Sequence, residues 1–119
     1  MVLMCDFNGN QKPEIVKRRP VVVITPNRIY RPGLVTVVPL STTAPDPITD
    51  YHYRLAGNPI PGETKEVWAK CDLVTTVRFE RLDRISVGRK YSTGQINGDQ
   101  VRAIRVSAAK SFGIEFDGN

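Results

Sequence analysis

Apolar residues in this chain cluster into five short runs that are rich in β-branched side chains and bounded by Pro, Gly or Asn. Runs of this length and composition predict β-strands rather than helices. The five predicted strands comprise residues 2–7, 21–25, 34–40, 51–55 and 67–71. We therefore predict a mainly β protein.

The second and third runs show no alternation of apolar and polar residues. Val-Val-Val-Ile begins at Val21, and Leu-Val-Thr-Val-Val begins at Leu34. Strands that are apolar at consecutive positions are covered on both faces, so these two are predicted to be central in the sheet. Between them, Pro26-Asn27 and the Pro-Gly dipeptide that begins at Pro32 supply turn residues. The two central strands are therefore predicted to pair antiparallel.

Near the end of the chain the spacing of apolar residues becomes that of a helix, so one helix is predicted there. The segment 97–100, Asn-Gly-Asp-Gln, offers side chains that start helices, and Gly113 is a typical residue just after a helix ends. Between them, apolar residues recur at spacings of three and four. They are Val101, Ile104, Ala108 and Phe112. We expect this helix to pack on a small curled sheet, while the Pro- and Gly-rich segment 45–63 forms surface loops.

Length, charge and cysteine content narrow the class of protein. The 119 residues fit one domain, 1–119. The net charge of +5 favours a polyanionic partner such as nucleic acid or an acidic protein. Cys5 and Cys71 lack CxxC spacing, so neither a disulfide framework nor a zinc site is expected. With no signal sequence and no run of about 20 apolar residues, we predict a cytoplasmic protein that does not enter a membrane.

The side chains available for catalysis are few. His52 is the one histidine, which excludes a pair of histidines acting as acid and base and argues against a His-rich metal site. The patterns GxxxxGK[ST], GxGxxG and GxSxG do not occur. Cleavage of RNA by its own 2′-hydroxyl remains possible, because the protein need only position the substrate, move protons and stabilise charge on the phosphate. That reaction requires no metal and no cofactor.

Four residues, at three places along the chain, suit this reaction. Arg19 precedes Pro20, and a residue before proline is held in an extended conformation, which directs its side chain reproducibly. Ser41 follows the central strand 34–40, so antiparallel pairing would bring it to the same edge as Arg19. Lys70 and Asp72 are two residues apart and lie on one face of a strand. They add a cation and a carboxylate to the candidate site.

The order of several short elements resembles the PemK/MazF toxins over nearly the whole chain. The matching elements are Asp6-Phe7, Glu14, Arg19-Pro20, the strands 21–24 and 34–41, and Lys70-Cys71-Asp72. The resemblance implies an SH3-like antiparallel β-barrel with a C-terminal amphipathic helix. It also implies a homodimer and a metal-independent endoribonuclease that cuts single-stranded RNA, leaves 2′,3′-cyclic phosphate and 5′-hydroxyl ends, and is inhibited by an acidic antitoxin.

The resemblance also implies site roles. Arg19 matches the arginine implicated in catalysis, and Ser41 falls where many members have a threonine or serine. Asp72 and Lys70 match an acidic residue and a neighbouring basic one, although arginine is usual at the basic position. Further candidates for catalysis or RNA binding are His52, Arg18, Thr42 and Lys17.

Plainer interpretations of the same residues stay open. Arginines beside a strand can be solvated charges, and a serine that ends a strand can simply bond the local backbone. Lys70 and Asp72 can form an ion pair, and His52 can serve packing alone. Two other functions fit the same fold: a toxin of the CcdB type, which binds DNA gyrase, and a non-catalytic RNA-binding SH3-like module.

Overall fold

The structure is a computed structural model that describes residues 1–12, 14–15, 17–26, 28–29 and 31–115. Within these residues the chain forms nine strands, two short 3₁₀ turns and one α-helix. The strands are β1 (Val2–Cys5), β2 (Arg19–Val23), β3 (Leu34–Ser41), β4 (His52–Arg54), β5 (Trp68–Lys70), β6 (Thr75–Arg78), β7 (Leu82–Asp83), β8 (Ile85–Val87) and β9 (Lys90–Ser92). The 3₁₀ turns are Cys71–Leu73 and Phe79–Arg81, and the helix α1 is Gly98–Ser111. The predicted mainly β class is confirmed.

Seven of the strands form one antiparallel sheet in the order β4-β5-β3-β2-β1-β7, with β6 also paired to β3. The centre of this sheet is β3, because it pairs with β2 on one side and with both β6 and β5 along its length. Strands β8 and β9 form a separate hairpin. β4 and β7 are the two edge strands of this sheet, and among the described residues they do not pair with each other. The predicted SH3-like fold class is therefore confirmed, and the barrel is open between β4 and β7.

Two apolar cores cover the opposite faces of the central strands. Val22 and Val38 are register partners that belong to the main core, whereas Val21 and Val37 belong to a second, smaller core. All four side chains are fully buried. This alternation explains why the two runs carry apolar residues at consecutive positions, and it confirms that both strands are central.

The turn between these strands lies only partly within the described residues. The backbone N–H of Leu34 donates to the carbonyl of Arg31 over 3.2 Å, which closes the predicted turn that begins at Pro32. Asn27, the second residue of the other predicted turn, lies outside the described residues.

Helix α1 begins as the sequence predicts. The Asn97 side chain caps the first turn by accepting from the Gln100 N–H over 2.8 Å. Gln100 in turn accepts from the Ala56 N–H over 2.8 Å, which ties the helix start to the loop after β4. Ile104 and Ala108 are buried in the main core. The helix therefore packs on the sheet, as predicted.

The end of α1 corrects one prediction. Phe112 was expected on the apolar face, but it is the C-cap residue and is 72% exposed. Gly113 follows with φ +83°, and its N–H donates to the Lys110 carbonyl over 2.9 Å. The Ile114 N–H donates to the Ala109 carbonyl over 3.3 Å. These two bonds form a Schellman motif, which turns the chain before Phe112 can reach the core.

Strands β6 to β9 were not predicted from the sequence. Each has only two to four residues, and most of their side chains are exposed or half-buried. Val77 and Ile85 are the buried members. A single buried residue in a short segment produces no detectable apolar period, so these strands are set by pairing with their neighbours.

A close approach at Gly94 pairs the start of β1 on the side where β7 pairs only with Met4 and Cys5. Gly94 and Val2 exchange two backbone hydrogen bonds, of 2.7 and 3.0 Å. A Cβ atom at Gly94 would lie 3.0 Å from the Val2 Cβ and 3.1 Å from the Pro59 carbonyl oxygen. Backbone and a β-carbon have little room to move, so this position requires glycine.

We expect Gly94→Ala to lower the free energy of unfolding by about 1–3 kcal/mol, the usual cost of overpacking. The matched control is Gly98→Ala in the first turn of α1, where an added Cβ meets nothing within 4 Å. Alanine there should be neutral or stabilising by up to about 1 kcal/mol. Urea unfolding of both variants measures the difference, and equal stabilities would contradict the close approach at Gly94.

Candidate functional site

The pairing of β2 with β3 sets Arg19 beside Ser41. The last register pair is Val21 with Pro39, and Arg19 and Ser41 lie two residues beyond that pair on their own strands. Both residues are half-buried, and together with Thr42 they line a cavity of about 120 Å³. The start of β2 and the end of β3 therefore lie at one edge of the sheet, as the sequence predicts.

The Ser41 hydroxyl has a local partner and still retains a donor. Its oxygen accepts a hydrogen bond from the Thr43 N–H over 3.1 Å. A serine hydroxyl can accept and donate at the same time, so its proton stays available to a ligand. The plain interpretation of Ser41 as a strand-ending residue and the functional one are therefore compatible.

The far wall of this cavity comes from the loop between β4 and β5. Asn58, Pro59 and Ile60 line it. The Asn58 side-chain oxygen Oδ1 accepts from the Ile60 N–H over 2.9 Å, and its side-chain Nδ2 donates to the Lys65 backbone carbonyl over 3.2 Å. The Pro- and Gly-rich composition indicated a surface loop here, but nothing in the sequence indicated that the loop faces Arg19.

Lys70 lies on the same face of the sheet as Ser41. Ser41 is opposite Trp68, and Lys70 is two residues beyond Trp68 on β5. Residues in this diagonal relation have Cβ atoms about 7–8 Å apart, within reach of a long side chain. His52 on β4 is directly opposite Lys70. The sheet therefore brings a second cation and the histidine close to the Arg19 edge.

His52 contacts Asp72 and is fixed by Thr49. The His52 Nε2 lies 3.8 Å from the Asp72 carboxylate. Its Nδ1 accepts from the Thr49 backbone N–H over 3.1 Å and lies 3.0 Å from the Thr49 hydroxyl. A ring nitrogen that accepts from a backbone N–H carries no proton, so the neutral ring holds its proton on Nε2, towards Asp72. This geometry suits a residue that orients Asp72 better than one that exchanges protons.

Asp72 also borders the loop between β1 and β2. It lines a cavity of about 260 Å³ together with Asn10, Glu14 and Ile15. Glu14 itself accepts from the Gln11 N–H over 3.1 Å, so its carboxylate serves the loop. The side chain of Asp72 is 40% exposed, which leaves its carboxylate accessible to a ligand.

Two of the candidate cations lie away from this group. Arg18 lies just before β2 and, although adjacent to Arg19, does not line the Arg19 cavity. Arg18 lines a different cavity, of about 350 Å³, with Arg84 and Tyr91. Lys17 is exposed on the loop before them. The sequence offered no motif for Arg84 or Tyr91.

The cysteine between Lys70 and Asp72 belongs to the main core. Burial raises the pKa of Cys71 to about 12, the Asp72 carboxylate adds to the rise, and a hydrogen bond with Ser107 opposes it. Burial also raises the pKa of Cys5. Because the thiolate is the reactive form, neither residue suits nucleophilic chemistry. Cys71 instead anchors the start of the 3₁₀ turn Cys71–Leu73. Lys70 ends β5 whereas Asp72 lies in this turn, so the prediction that both lie on one face of a strand is wrong, because the strand ends between them.

Within the described ranges, no three His, Cys, Asp or Glu side chains are grouped so that they could hold a metal ion. In that same part of the chain, no helix is both long enough and apolar enough to cross a membrane.

Comparisons with known sequences give one family model and one curated relative. A family model described as a PemK-like, MazF-like toxin of type II toxin-antitoxin system matches residues 1–112. The protein YifN of Escherichia coli (strain K12) is 32% identical over 112 residues, which cover 89% of this chain and 74% of YifN.

Solved structures share the fold at low identity. The Mycobacterium tuberculosis toxin MazF-mt6 superposes with a TM-score of 0.65 and 21% identity, covering 98% of this chain and 100% of that one. An endoribonuclease in complex with its cognate antitoxin, from Mycobacterial species, gives a TM-score of 0.63 and 19% identity, covering 97% and 93%. At these identities the likeness concerns the fold.

Both cysteines should resist alkylation in the folded protein. A pKa of about 12 at Cys71 leaves only about one thiolate in 10,000 molecules at pH 8, and burial blocks access as well. Iodoacetamide at pH 8, followed by mass spectrometry, should leave both thiols unmodified in buffer and modify both in guanidinium chloride. Rapid labelling of native Cys71 would contradict its role as a core anchor.

Proposed function

The chain belongs to the PemK-like, MazF-like toxin family of type II toxin-antitoxin systems, and we propose that it is a metal-independent endoribonuclease that cuts single-stranded RNA. One observation carries the proposal: Arg19 and Ser41 line one cavity where β2 begins and β3 ends, with Lys70 two residues from Trp68, the residue opposite Ser41. A solved endoribonuclease of the same fold supports it.

In the proposed reaction the substrate supplies its own nucleophile. The 2′-oxygen attacks the adjacent phosphorus and passes its proton to the Asp72 carboxylate. The bond from phosphorus to the 5′-oxygen breaks, and the departing oxygen takes a proton from the Lys70 ammonium. The products are a 2′,3′-cyclic phosphate and a 5′-hydroxyl, and proton exchange with water restores both side chains.

Arg19 and Ser41 stabilise the charge that develops on the phosphate. A guanidinium can hold two non-bridging oxygens in a bidentate fork, and the Ser41 hydroxyl adds a further donor. Both residues are half-buried, where the surrounding protein screens charge less than bulk water does. Such a donor typically contributes on the order of 3 kcal/mol to lowering a barrier.

His52 is a positioning residue in this scheme. Thr49 fixes the ring, and the ring's Nε2 proton faces Asp72. Thr42, which lines the Arg19 cavity, is exposed and suits contact with the sugar-phosphate chain.

The proposed partners follow from the same charges. A net charge of +5 attracts both RNA and an acidic protein, and an acidic antitoxin that covers these cations would compete with RNA. The solved complex of an endoribonuclease with its cognate antitoxin supports such a partner. We propose further that the protein acts in the cytoplasm as a homodimer, whose molar mass light scattering would measure.

Purified protein should cut an unstructured RNA in excess EDTA and leave cyclic phosphate ends. Arg19→Ala should slow single-turnover cleavage by about 10²-fold or more, because one charge-stabilising donor is lost. The matched control is Arg31→Ala, an exposed arginine in the loop at the opposite end of β2, which should cut at nearly the wild-type rate.

Other outcomes of that assay would redirect the assignment. A fully active Arg19→Ala protein would refute the role of Arg19. RNA binding without cleavage would favour the non-catalytic SH3-like module. Growth arrest with blocked DNA supercoiling and intact RNA would favour a toxin of the CcdB type.

The roles of Asp72 and His52 can be separated by substitution. Asp72→Asn should lower the cleavage rate by about 10²-fold, because the proton acceptor is lost. His52→Asn should lose much less than His52→Ala, since an asparagine oxygen can still accept from the Thr49 N–H. Single-turnover rates at saturating RNA measure all three, with circular dichroism to check folding. Equal losses in the Asp72→Asn and His52→Asn proteins would show that His52 itself transfers a proton.

A further inference from the structure

We propose that a second cleft, lined by Arg18, Asp83, Arg84, Ser86 and Tyr91 and called here the Arg84 cleft, binds the nucleotide next to the one that is cut. The proposal rests on the proposed ribonuclease function and extends it to a binding site for an adjacent nucleotide. The cleft measures about 350 Å³, larger than the cavity beside Arg19.

The β8–β9 hairpin aligns three of these side chains. Ser86 is opposite Tyr91 in the hairpin register, and Arg84 is two residues before Ser86. Arg84 lies just before β8, and all three side chains line the same cleft. Met4 on β1 also lines the cleft. An aromatic ring, a guanidinium and a hydroxyl therefore face one space.

Tyr91 presents an aromatic surface that the fold does not use. Its side chain is 60% exposed, and the Arg84 guanidinium carbon lies 5.7 Å from the ring centroid. Aromatic rings beside arginine are the surfaces on which unpaired RNA bases stack, since every base has a flat face. The pair is therefore suited to an unpaired base.

The charges in the cleft indicate what else it can hold. Arg18 and Arg84 are exposed cations, and Asp83 is an exposed carboxylate. One Asp83 oxygen accepts from the Arg84 backbone N–H over 2.7 Å. The remaining acceptor capacity suits an exocyclic amino group, which carboxylates accept from bases. The cleft therefore matches one phosphate together with an adenine, cytosine or guanine, and uracil lacks the amino group.

The position of Arg18 links this cleft to the Arg19 site. The two residues are consecutive, with Cα atoms about 3.8 Å apart, and they line separate cavities at the start of β2. A strand of RNA that crosses this edge can place one phosphate at Arg19 and the neighbouring nucleotide in the Arg84 cleft. The cleft thereby selects the base beside the cut.

The test measures binding of uncleavable RNA, a random-sequence 2′-O-methyl oligonucleotide of about 12 nucleotides, long enough for one binding site. Tyr91→Ala should bind it at least about fivefold more weakly, whereas Tyr91→Phe keeps the stacking surface and should stay within about twofold of wild type. Tyr91 is largely exposed, so thermal unfolding should show all variants folded.

Arginine variants test the phosphate contact separately. Arg84→Ala should reduce the slope of log affinity against log salt concentration by about 0.7, the effect of losing one phosphate contact on a single strand. Arg89→Ala is the matched control, because Arg89 is exposed at the turn of the same hairpin and does not line the cleft. Its slope should equal that of the wild type.

Uniform oligonucleotides test base selection. The wild type should bind 2′-O-methyl oligo-C more tightly than oligo-U, and Asp83→Ala should abolish that difference. A preference that survives in Asp83→Ala would overturn the assignment of Asp83.

One outcome would overturn the cleft and leave the proposed function standing. In it, the wild type cuts RNA in EDTA, and the Arg84→Ala and Tyr91→Ala proteins bind RNA as well as Arg89→Ala does. RNA that the wild type neither binds nor cuts would overturn both.

Discussion

The pairing of β2 with β3 is the constraint on which the rest of the structure depends. It joins Val22 to Val38, whose side chains lie in the main core, and sends the alternate valines to the second core. The same pairing brings Arg19 and Ser41, each two residues beyond the Val21–Pro39 pair, to one cavity. A slip of one residue would turn every side chain of one strand to the other face, so it would expose valines and separate Arg19 from Ser41 together. Because burial stabilises one register strongly, the core also determines the geometry of the site. The polar pair thus requires no specific interaction of its own to be held in place.

At the strand ends that form the candidate site, buried residues alternate with polar residues along the chain. Cys71 is fully buried in the main core, and its neighbours Lys70 and Asp72 are half-buried and exposed. Packing of the thiol therefore fixes the backbone that carries both polar side chains. Arg19 is held in a comparable way, since Pro20 restricts its backbone and belongs to the paired part of β2. Rigid mounting reduces the conformational entropy that each side chain loses when a phosphate binds.

Much of this arrangement follows from the sequence, for identifiable reasons. The five apolar runs became strands because each buries side chains on β3 or its neighbours, and α1 followed from its apolar period and its Asn97 cap. The exposed Phe112 shows the limit of periodicity, because a Schellman turn ended the helix one residue earlier. The tautomer of His52 depends on a backbone N–H three residues away, which residue spacing does not reveal. The Arg84 cleft depends on a hairpin whose strands have three residues each, too short for any period.

The two kinds of cation near Ser41 suit different tasks. A guanidinium stays protonated in proteins and presents a planar fork, so the half-buried Arg19 can hold two phosphate oxygens throughout a reaction without exchanging its proton. An ammonium is a point charge on a flexible stem, and it can lose a proton. Lys70 lies two residues beyond Trp68, the residue opposite Ser41. In the proposed reaction its flexible side chain can therefore follow the departing 5′-oxygen as the bond to phosphorus breaks. In the proposed reaction a lysine suffices on β5, because Arg19 on β2 already supplies the planar fork. Under that proposal, holding the phosphate and moving the proton fall to two different strands of the sheet.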